Sequence, residues 1–379
     1  YCSLLLYLRA MGGFWVHGMK LLTFYQLHAN ILSMPEDINK ITEEMLSGLD
    51  ARSKDIVVRR FGLKDEKPET LESIGKEYGI TRERVRQIES NAKKALSGLE
   101  TLYRPIYNLL TDVFAEHGGV LAEEHAVELT RERTGQSYSS NLVHFHLDVL
   151  PHFKHATREK LFDSHWRHEQ HIHERIEDIV IIARDILKKH NHPIPLDDLI
   201  AEIQSHLLEA HHLEVGREPI YAALVASKHI APTAFNEWGL IGWAETSPRG
   251  VGDKAYAVLR RHGKPTHFRD ITAMINEASF DAKQANPQTV HNELIKDSRF
   301  VLVGRGLYGL KEWGYVSGTV ADVLESVLRT ALTPMTREEL IDEVLKQRLV
   351  KKNTILLSLQ NNKRFKKTGE NRYTLQQVA

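Results

Sequence analysis

The sequence predicts a mainly α-helical protein built from several small domains, and three observations support that fold class. The chain has 379 residues, which exceeds the usual size of a single hydrophobic core. Apolar residues recur at helical spacing in many short segments, whereas alternating, strand-like patterns are confined to short stretches. One motif also recurs along the chain at a nearly constant interval, as in a tandem array of domains.

Composition limits how the chain could bind a charged partner. Fifty basic and fifty acidic residues cancel, so no overall charge attracts the protein to a phosphate backbone. Any nucleic-acid binding must therefore come from local basic surfaces. The single cysteine, Cys2, excludes a disulfide framework and a cysteine-rich zinc finger.

The first segment, residues 1–33, is more apolar than the rest of the chain. Arg9 and Lys20 divide it into runs shorter than the roughly 20 apolar residues that a membrane span needs. It also lacks the charged start and the cleavage site of a signal peptide. Because Met34 precedes a polar, helix-like sequence and is a plausible start, we expect residues 1–33 to be a fragment end or upstream read-through, without assigned function.

A helix-turn-helix is predicted between Thr70 and Leu99. Leu71, Ile74 and Tyr78 recur at helical spacing, and Gly79 then interrupts the pattern. The inward positions of the second helix are Val85, Ile88, Ala92, Ala95 and Leu99. Thr81 can cap this helix, since its hydroxyl can accept a hydrogen bond from a first-turn amide. The opposite face, at the end that enters the DNA major groove in this motif, carries Arg82, Glu83, Arg86 and Gln87.

The residues of this motif resemble region four of bacterial primary sigma factors. GITRERVRQIESNAKKAL resembles the helix-turn-helix, and LDARSKDIVVRRFGL, at residues 49–63, resembles the helix before it. In that family the module reads the upstream promoter hexamer and docks on the flap of RNA polymerase. The resemblance implies base-reading positions and polymerase contacts. The implied DNA-contacting residues are Arg82, Glu83, Arg86, Gln87 and Lys93, and the implied polymerase-contacting residues are Arg59 and Arg60. The alternative is a helix-turn-helix that serves only for packing or protein binding.

A second pattern repeats after residue 105. HPIPLDDLI, KPTHFRDIT and TPMTREELI each join a short extended piece to an acidic helix start, and GGVLAEEHA is a weaker copy. Their anchor residues are Gly119, Pro193, Pro265 and Pro334, spaced by 74, 72 and 69 residues. Such regular spacing indicates a tandem array of four small domains.

The third copy predicts the fold of each repeat. Two helices flank an extended piece, Asn286 and Pro287 open a third helix, and an alternating segment turns around residues 304–306 as a hairpin. Three helices followed by a small β-hairpin wing make a winged helix. Three aromatic residues near the hairpin are expected to fill the core rather than to stack on bases: Phe300, Tyr308 and Trp313.

The same copy is similar to the HARE-HTH winged helix, which is known from the delta subunit of bacterial RNA polymerase and from chromatin and restriction proteins. The residues that carry this similarity are AVLRRHGKPTHFRDIT, TVHNELIKDSRF and GRGLYGLKEWG. The resemblance implies attachment to transcription or DNA-modifying machinery, with no activity of its own.

These patterns divide the chain into a sigma region four-like module and four winged-helix units. The expected boundaries are 34–104 for the module, then 105–174, 175–248, 249–316 and 317–379 for the winged helices.

The last unit is strongly basic. Between Lys346 and Arg372 there are nine Lys and Arg residues against one acid, Glu370. A local charge of +8 on a neutral chain favours contact with DNA phosphates. The candidate residues are Lys363, Arg364, Lys366 and Lys367. The alternative is a basic surface that is merely solvated.

Histidines cluster between His144 and His173. The three-residue spacing of His165, His168 and His171 could place imidazoles on one face of a helix, where they could bind zinc. HEQH lacks the gap of a zincin motif, and no carboxylate or thiol completes an obvious ligand set. We therefore expect a polar, partly exposed helix, with no metal and no cofactor.

Together, the patterns predict a transcription regulator or RNA polymerase accessory factor without catalytic activity. Its expected partners are double-stranded DNA and core RNA polymerase in the cytoplasm, at the bacterial nucleoid, with no membrane and no small-molecule substrate. It is not expected to be a complete sigma factor, since no basic, aromatic-rich helical domain for promoter melting precedes the motif. The rivals are a protein-interaction scaffold of winged helices on RNA polymerase, and a metal-dependent enzyme, which would need three ligands from the histidine cluster.

Overall fold

The computed structural model describes residues 37–64, 67–157, 159–331, 333–369 and 371–376. These residues are mainly helical, with small antiparallel sheets, so the predicted fold class is confirmed. The expectation for residues 1–33 lies outside the described residues, as does Glu370. The chain forms two compact units: the first ends at Glu177 and also includes Gly216–Ala226, and the second contains Asp178–Val215 and Ser227 onward.

The first unit begins with four helices that include the predicted helix-turn-helix. They are α1 (Ile38–Ser47), α2 (Ala51–Phe61), α3 (Leu71–Tyr78) and α4 (Arg82–Ser97). The Thr81 hydroxyl accepts a hydrogen bond from the Arg84 amide at 3.2 Å, which confirms the predicted cap of α4. Gly79 ends α3 in the left-handed conformation, with φ of 63°. The α3–α4 turn therefore follows from local capping signals.

A winged helix follows in the same unit. It contains α5 (Glu100–Glu116), β1 (Val120–Ala122), α6 (Glu123–Thr134), α7 (Ser140–Val149), β2 (Phe153–Ala156) and β3 (His165–His168). The sheet order is β1-β3-β2, with antiparallel pairs. Helix α5 runs through Pro105, so the boundary predicted at residues 104 and 105 falls inside a helix.

The helix predicted around the histidine cluster is wrong. His165–His168 forms the central strand of the sheet and pairs with both β1 and β2. A three-residue spacing is compatible with a helix, but here pairing with strands distant in sequence determines the conformation. His165 and His168 are fully buried rather than partly exposed.

One hydrophobic core joins the helix-turn-helix module to this winged helix. Ile38, Val57 and Leu96 from the module share it with Phe114 and Phe145 from the winged helix. A further helix of the unit, α10 (Arg217–Ala226), contacts β1 and adds Ala222 to the core. The first unit is therefore built around a common interior.

Three more sheets repeat the winged-helix pattern. Helix α8 (Ile176–His190) begins in the first unit and continues into the second, where β4 (Ile194–Pro195), α9 (Leu196–His211), β5 (Ile230–Pro232) and β6 (Glu237–Leu240) follow. The next set is α11 (Val251–His262), β7 (Thr266–His267), α12 (Phe268–Ala278), α13 (Pro287–Lys296), β8 (Phe300–Gly304) and β9 (Leu307–Leu310), then a short 3-10 helix, Lys311–Trp313. The last set is α14 (Val320–Ala331), β10 (Met335–Thr336), α15 (Arg337–Gln347), α16 (Lys352–Asn361), β11 (Phe365–Thr368) and β12 (Arg372–Leu375).

Each sheet contains one strand more than the predicted hairpin. The short extended piece between the first two helices pairs with the last strand, giving the orders β4-β6-β5, β7-β9-β8 and β10-β12-β11. The first strands of the four sheets begin at residues 120, 194, 266 and 335, which reproduces the predicted repeat.

The third winged helix shows how its hairpin is built. Gly306, in the turn between β8 and β9, has φ of +69°, and a Cβ there would lie 2.6 Å from His267 Nε2, so the position requires glycine. Phe300 and Tyr308 are buried, and Trp313 packs partly buried against the same core. The prediction that these aromatics fill the core is confirmed.

A buried arginine connects the third and fourth winged helices. Arg348 is 6% exposed, and its guanidinium donates to the carbonyl of Leu302 at 2.9 Å and to the carbonyl of Gly318. The Leu349 amide donates to the Val303 carbonyl at 3.1 Å. The segment after α15 is thereby bonded to strand β8.

Candidate nucleic-acid interface

The structure places the predicted base-reading residues on one exposed end of α4. Val85, Ala92 and Leu96 are buried on its inner face. Ala95, which was predicted to point inward, is exposed, and Leu96 occupies the interior in its place. The side chains exposed at the N-terminal end are Arg82, Glu83, Arg84, Arg86 and Gln87.

Local pairs hold the side chains of this surface. Arg86 donates two hydrogen bonds to the Glu83 carboxylate, at 2.9 and 2.7 Å, and these bonds lower the pKa of Glu83. Arg84 donates to Gln87 Oε1 at 3.1 Å. Both pairs are solvent-exposed and therefore weak, so base edges or phosphates could replace them.

Sequence reasoning missed three residues of this surface. Arg84 lies three residues before Gln87 and hydrogen-bonds to it. Asn91 and Lys94 are exposed four and seven residues after Gln87, which places them along the same side of the helix. Their helical spacing from Gln87 was the available signal.

The two arginines predicted to contact polymerase make bonds inside the module. Arg59 Nε donates to Glu69 at 2.7 Å, and its terminal nitrogens also approach Glu77 and Asp55. The hydrogen bonds to Glu69 and Glu77 raise the pKa of Arg59 further above its usual range. Arg60 donates to the Glu69 carbonyl at 3.1 Å. The two residues connect α2 to the loop before α3, and their contact with polymerase stays a prediction.

Lys93 is also engaged within the protein. Its ammonium lies 2.9 Å from Glu89 and 2.5 Å from Asp148, and 5.2 Å from the ring centroid of Phe61. The pairing with the two carboxylates raises the pKa of Lys93 against the opposing effect of burial. A DNA contact by Lys93 stays a prediction.

The basic surface of the last winged helix is smaller than its charge count suggested. Arg364 pairs with Asp322 at 2.7 Å and Glu325 at 3.2 Å, and Arg348 is buried. Three other lysines are exposed, and among the described residues they form no ion pair. They are Lys363, Lys366 and Lys367, at the start of the wing and along β11.

Several histidines lie in the interior of the first unit. Burial lowers the pKa of His146 to about 3 and, as the largest cause, that of His125 and His168 to about 4. These rings are therefore neutral at physiological pH. Within the part of the chain that the structure describes, no group of three or more His, Cys, Asp or Glu side chains is placed to hold a metal ion. No helix there is long and apolar enough to cross a bilayer.

Comparison with known proteins identifies two of the domains. Residues 45–97 match the family model "Sigma-70, region 4", and residues 251–313 match HARE-HTH, a helix-turn-helix domain of ASXL and restriction endonuclease proteins. RNA polymerase sigma factor RpoD of Helicobacter pylori strain 26695 is 53% identical over 64 residues, which are 17% of this chain and 10% of RpoD. RNA polymerase sigma factor RpoS of Coxiella burnetii is 45% identical over 60 residues, which are 16% of this chain and 17% of RpoS.

The chain thus contains a sigma-70 region 4 domain and a HARE-HTH domain, as the sequence patterns predicted. Both are helix-turn-helix types of DNA-binding domain, and neither is an enzyme family. The match spans about a tenth of RpoD and about a sixth of RpoS. The protein is therefore a sigma-like helix-turn-helix protein connected with transcription.

Proposed function

We propose that this protein binds promoter-like double-stranded DNA through α4 and acts with core RNA polymerase as a transcription regulator or accessory factor. The observation that carries the proposal is the exposed N-terminal end of α4 within the region 4 domain. Its arginines can donate to guanine and Gln87 can bind adenine in the major groove. Both activities belong in the cytoplasm, at the bacterial nucleoid.

The extent of the similarity favours an accessory role over that of a complete sigma factor. Identity with RpoD is confined to 64 residues, and winged helices make up most of the remaining described chain. Lys363, Lys366 and Lys367 of the last wing would add contacts to DNA phosphates, which strengthen binding without selecting a sequence.

Selection of binding sites from random duplex DNA tests the DNA-reading role. In the full chain, Arg82→Ala and Arg86→Ala should each weaken binding roughly tenfold to a hundredfold and relax the preference at individual base pairs. Arg104→Ala is the matched control, because Arg104 is exposed and pairs with Glu100 at 2.7 Å, as Arg86 pairs with Glu83. An unchanged selected site in the double arginine variant would contradict the proposal.

Retention of core RNA polymerase by the full chain tests the second part. Charge reversal at Arg59 would break ion pairs within the module, so exposed Lys54 on the same helix is the better site to change. Lys54→Glu should weaken retention and leave DNA binding intact. If the wild-type chain retains no polymerase, a DNA-binding repressor becomes the better interpretation.

A second candidate is a protein-interaction scaffold on RNA polymerase without sequence-specific DNA contact. The packing of α7 favours it for the first winged helix, because that third helix is almost entirely covered. Polymerase retention together with no enriched DNA sequence would support the scaffold.

A further inference from the structure

The third helix of the first winged unit has lost the surface with which such a helix could enter a groove. All ten residues of α7 are described, and only Asp148 is exposed. In the last winged unit, by contrast, the corresponding helix α16 exposes Lys352, Asn353, Thr354, Leu357, Gln360 and Asn361. A helix without a free polar face cannot present side chains to base edges. The surface of α7 must therefore have a different role.

Polar contacts show which elements occupy that surface. His146 Nε2 lies 2.8 Å from the hydroxyl of Thr42 in α1, and both residues are buried. The Asn141 amide donates at 3.1 Å to the carbonyl of Gly62, at the end of α2. Buried polar groups of this kind demand specific partners, because an unpaired one is costly.

Apolar and ionic contacts extend the same interface. The rings of Phe61 and Phe145 meet edge to face, with centroids 5.2 Å apart. Lys93 of α4 reaches Asp148 at 2.5 Å. Helix α7 thus touches α1, α4 and the corner at Phe61 and Gly62 that ends α2.

We propose that α7 is a docking helix whose partner is the region 4 domain of the same chain. The first winged helix positions the helix-turn-helix by holding α1, α2 and α4, and it leaves the exposed N-terminal end of α4 clear. It serves as an internal support for the reading helix. The prediction concerns the folded chain alone, so it holds or fails independently of DNA binding.

Hydrogen exchange of the full chain, without DNA, tests this docking. The double variant Asn141→Ala/Asp148→Ala removes two contacts across the interface and leaves the buried residues of α7 in place. It should speed amide exchange in α2–α4 by roughly tenfold or more and leave the strands β2 and β3 unchanged. The matched control is Glu116→Ala, which breaks the ion pair of Glu116 with Arg133 inside the winged helix and should not affect α2–α4.

Two outcomes would overturn the proposal. One is unchanged exchange in α2–α4, and the other is an equal rise in α2–α4 and in the β2–β3 strands. A double-mutant cycle gives a second measure: Lys93→Ala and Asp148→Ala should be non-additive in their effect on α2–α4, because the two side chains are in contact. Strict additivity would show that the ion pair does not couple the two domains.

Discussion

Mild acid should loosen the first unit selectively, because three buried histidines in it must stay neutral for it to fold. His146 has a pKa of about 3 in the fold, and His125 and His168 have pKa values of about 4, against 6.5 for an ordinary histidine. Below pH 6.5 the unfolded chain therefore binds more protons than the folded chain. Stability is fully present above that pH and falls as the pH drops toward 4.

The size of the effect follows from linkage. Between pH 7 and pH 5, one histidine that protonates only in the unfolded state lowers the free energy of unfolding by about 2 kcal/mol. Three such residues give about 6 kcal/mol, a large part of the roughly 5–15 kcal/mol that stabilises a typical domain. Acids with ordinary pKa values remain ionised at pH 5, so the histidines dominate this interval.

Hydrogen exchange at pH 7 and pH 5, corrected for intrinsic rates, separates the two units in the full chain. Protection should fall in the first unit far more than in the second, where none of the described histidines is buried. The variant His146→Leu/Thr42→Val removes one titrating ring together with its hydrogen-bond partner and should reduce the pH dependence by about a third. Equal losses of protection in both units, or none in the first, would refute this reasoning.

Three further substitutions test the second unit. Gly306→Ala should destabilise it by about 1–3 kcal/mol more than Gly314→Ala, as judged by urea unfolding, since both have positive φ but only Gly306 lacks space for a Cβ. Arg348→Met should cost about 2–4 kcal/mol in the same assay, because the carbonyls of Leu302 and Gly318 lose their donor. Alanine at the three unpaired wing lysines should lower the slope of log affinity against log salt by about 0.9 for each phosphate that the wing no longer neutralises, whereas Arg364→Ala, already ion-paired, should change it less. The wing lysines are Lys363, Lys366 and Lys367, which form no ion pair among the described residues.

The helix-turn-helix could be predicted from sequence because its signals are local. Thr81 caps α4 and Gly79 ends α3 through bonds within a few residues of each. The repeat was equally accessible, since a constant spacing requires no knowledge of contacts. The exposed end of α4 follows from the same helical periodicity, which also places Arg84 and Asn91 there.

Features that depend on distant pairing could not be predicted in this way. His165–His168 becomes a strand because β1 and β2 lie on either side of it, and the two-residue strand β7 forms only against β9. The engagement of Arg59 and Lys93 has the same origin. Their acidic partners Glu69 and Asp148 come from other elements, so composition alone made both residues look available to an external partner.

The bonds from Arg348 and Leu349 to strand β8 also bear on solubility. Strand β8 is at the edge of its sheet, and an open edge offers unpaired carbonyls on which a strand of another molecule can assemble. Here the carbonyls of Leu302 and Val303 are both occupied by the segment that follows α15. Truncation before the last winged helix would uncover that edge beside the exposed side chain of Leu302, and the shortened chain should self-associate. The C-terminal domain thus protects its neighbour from aggregation.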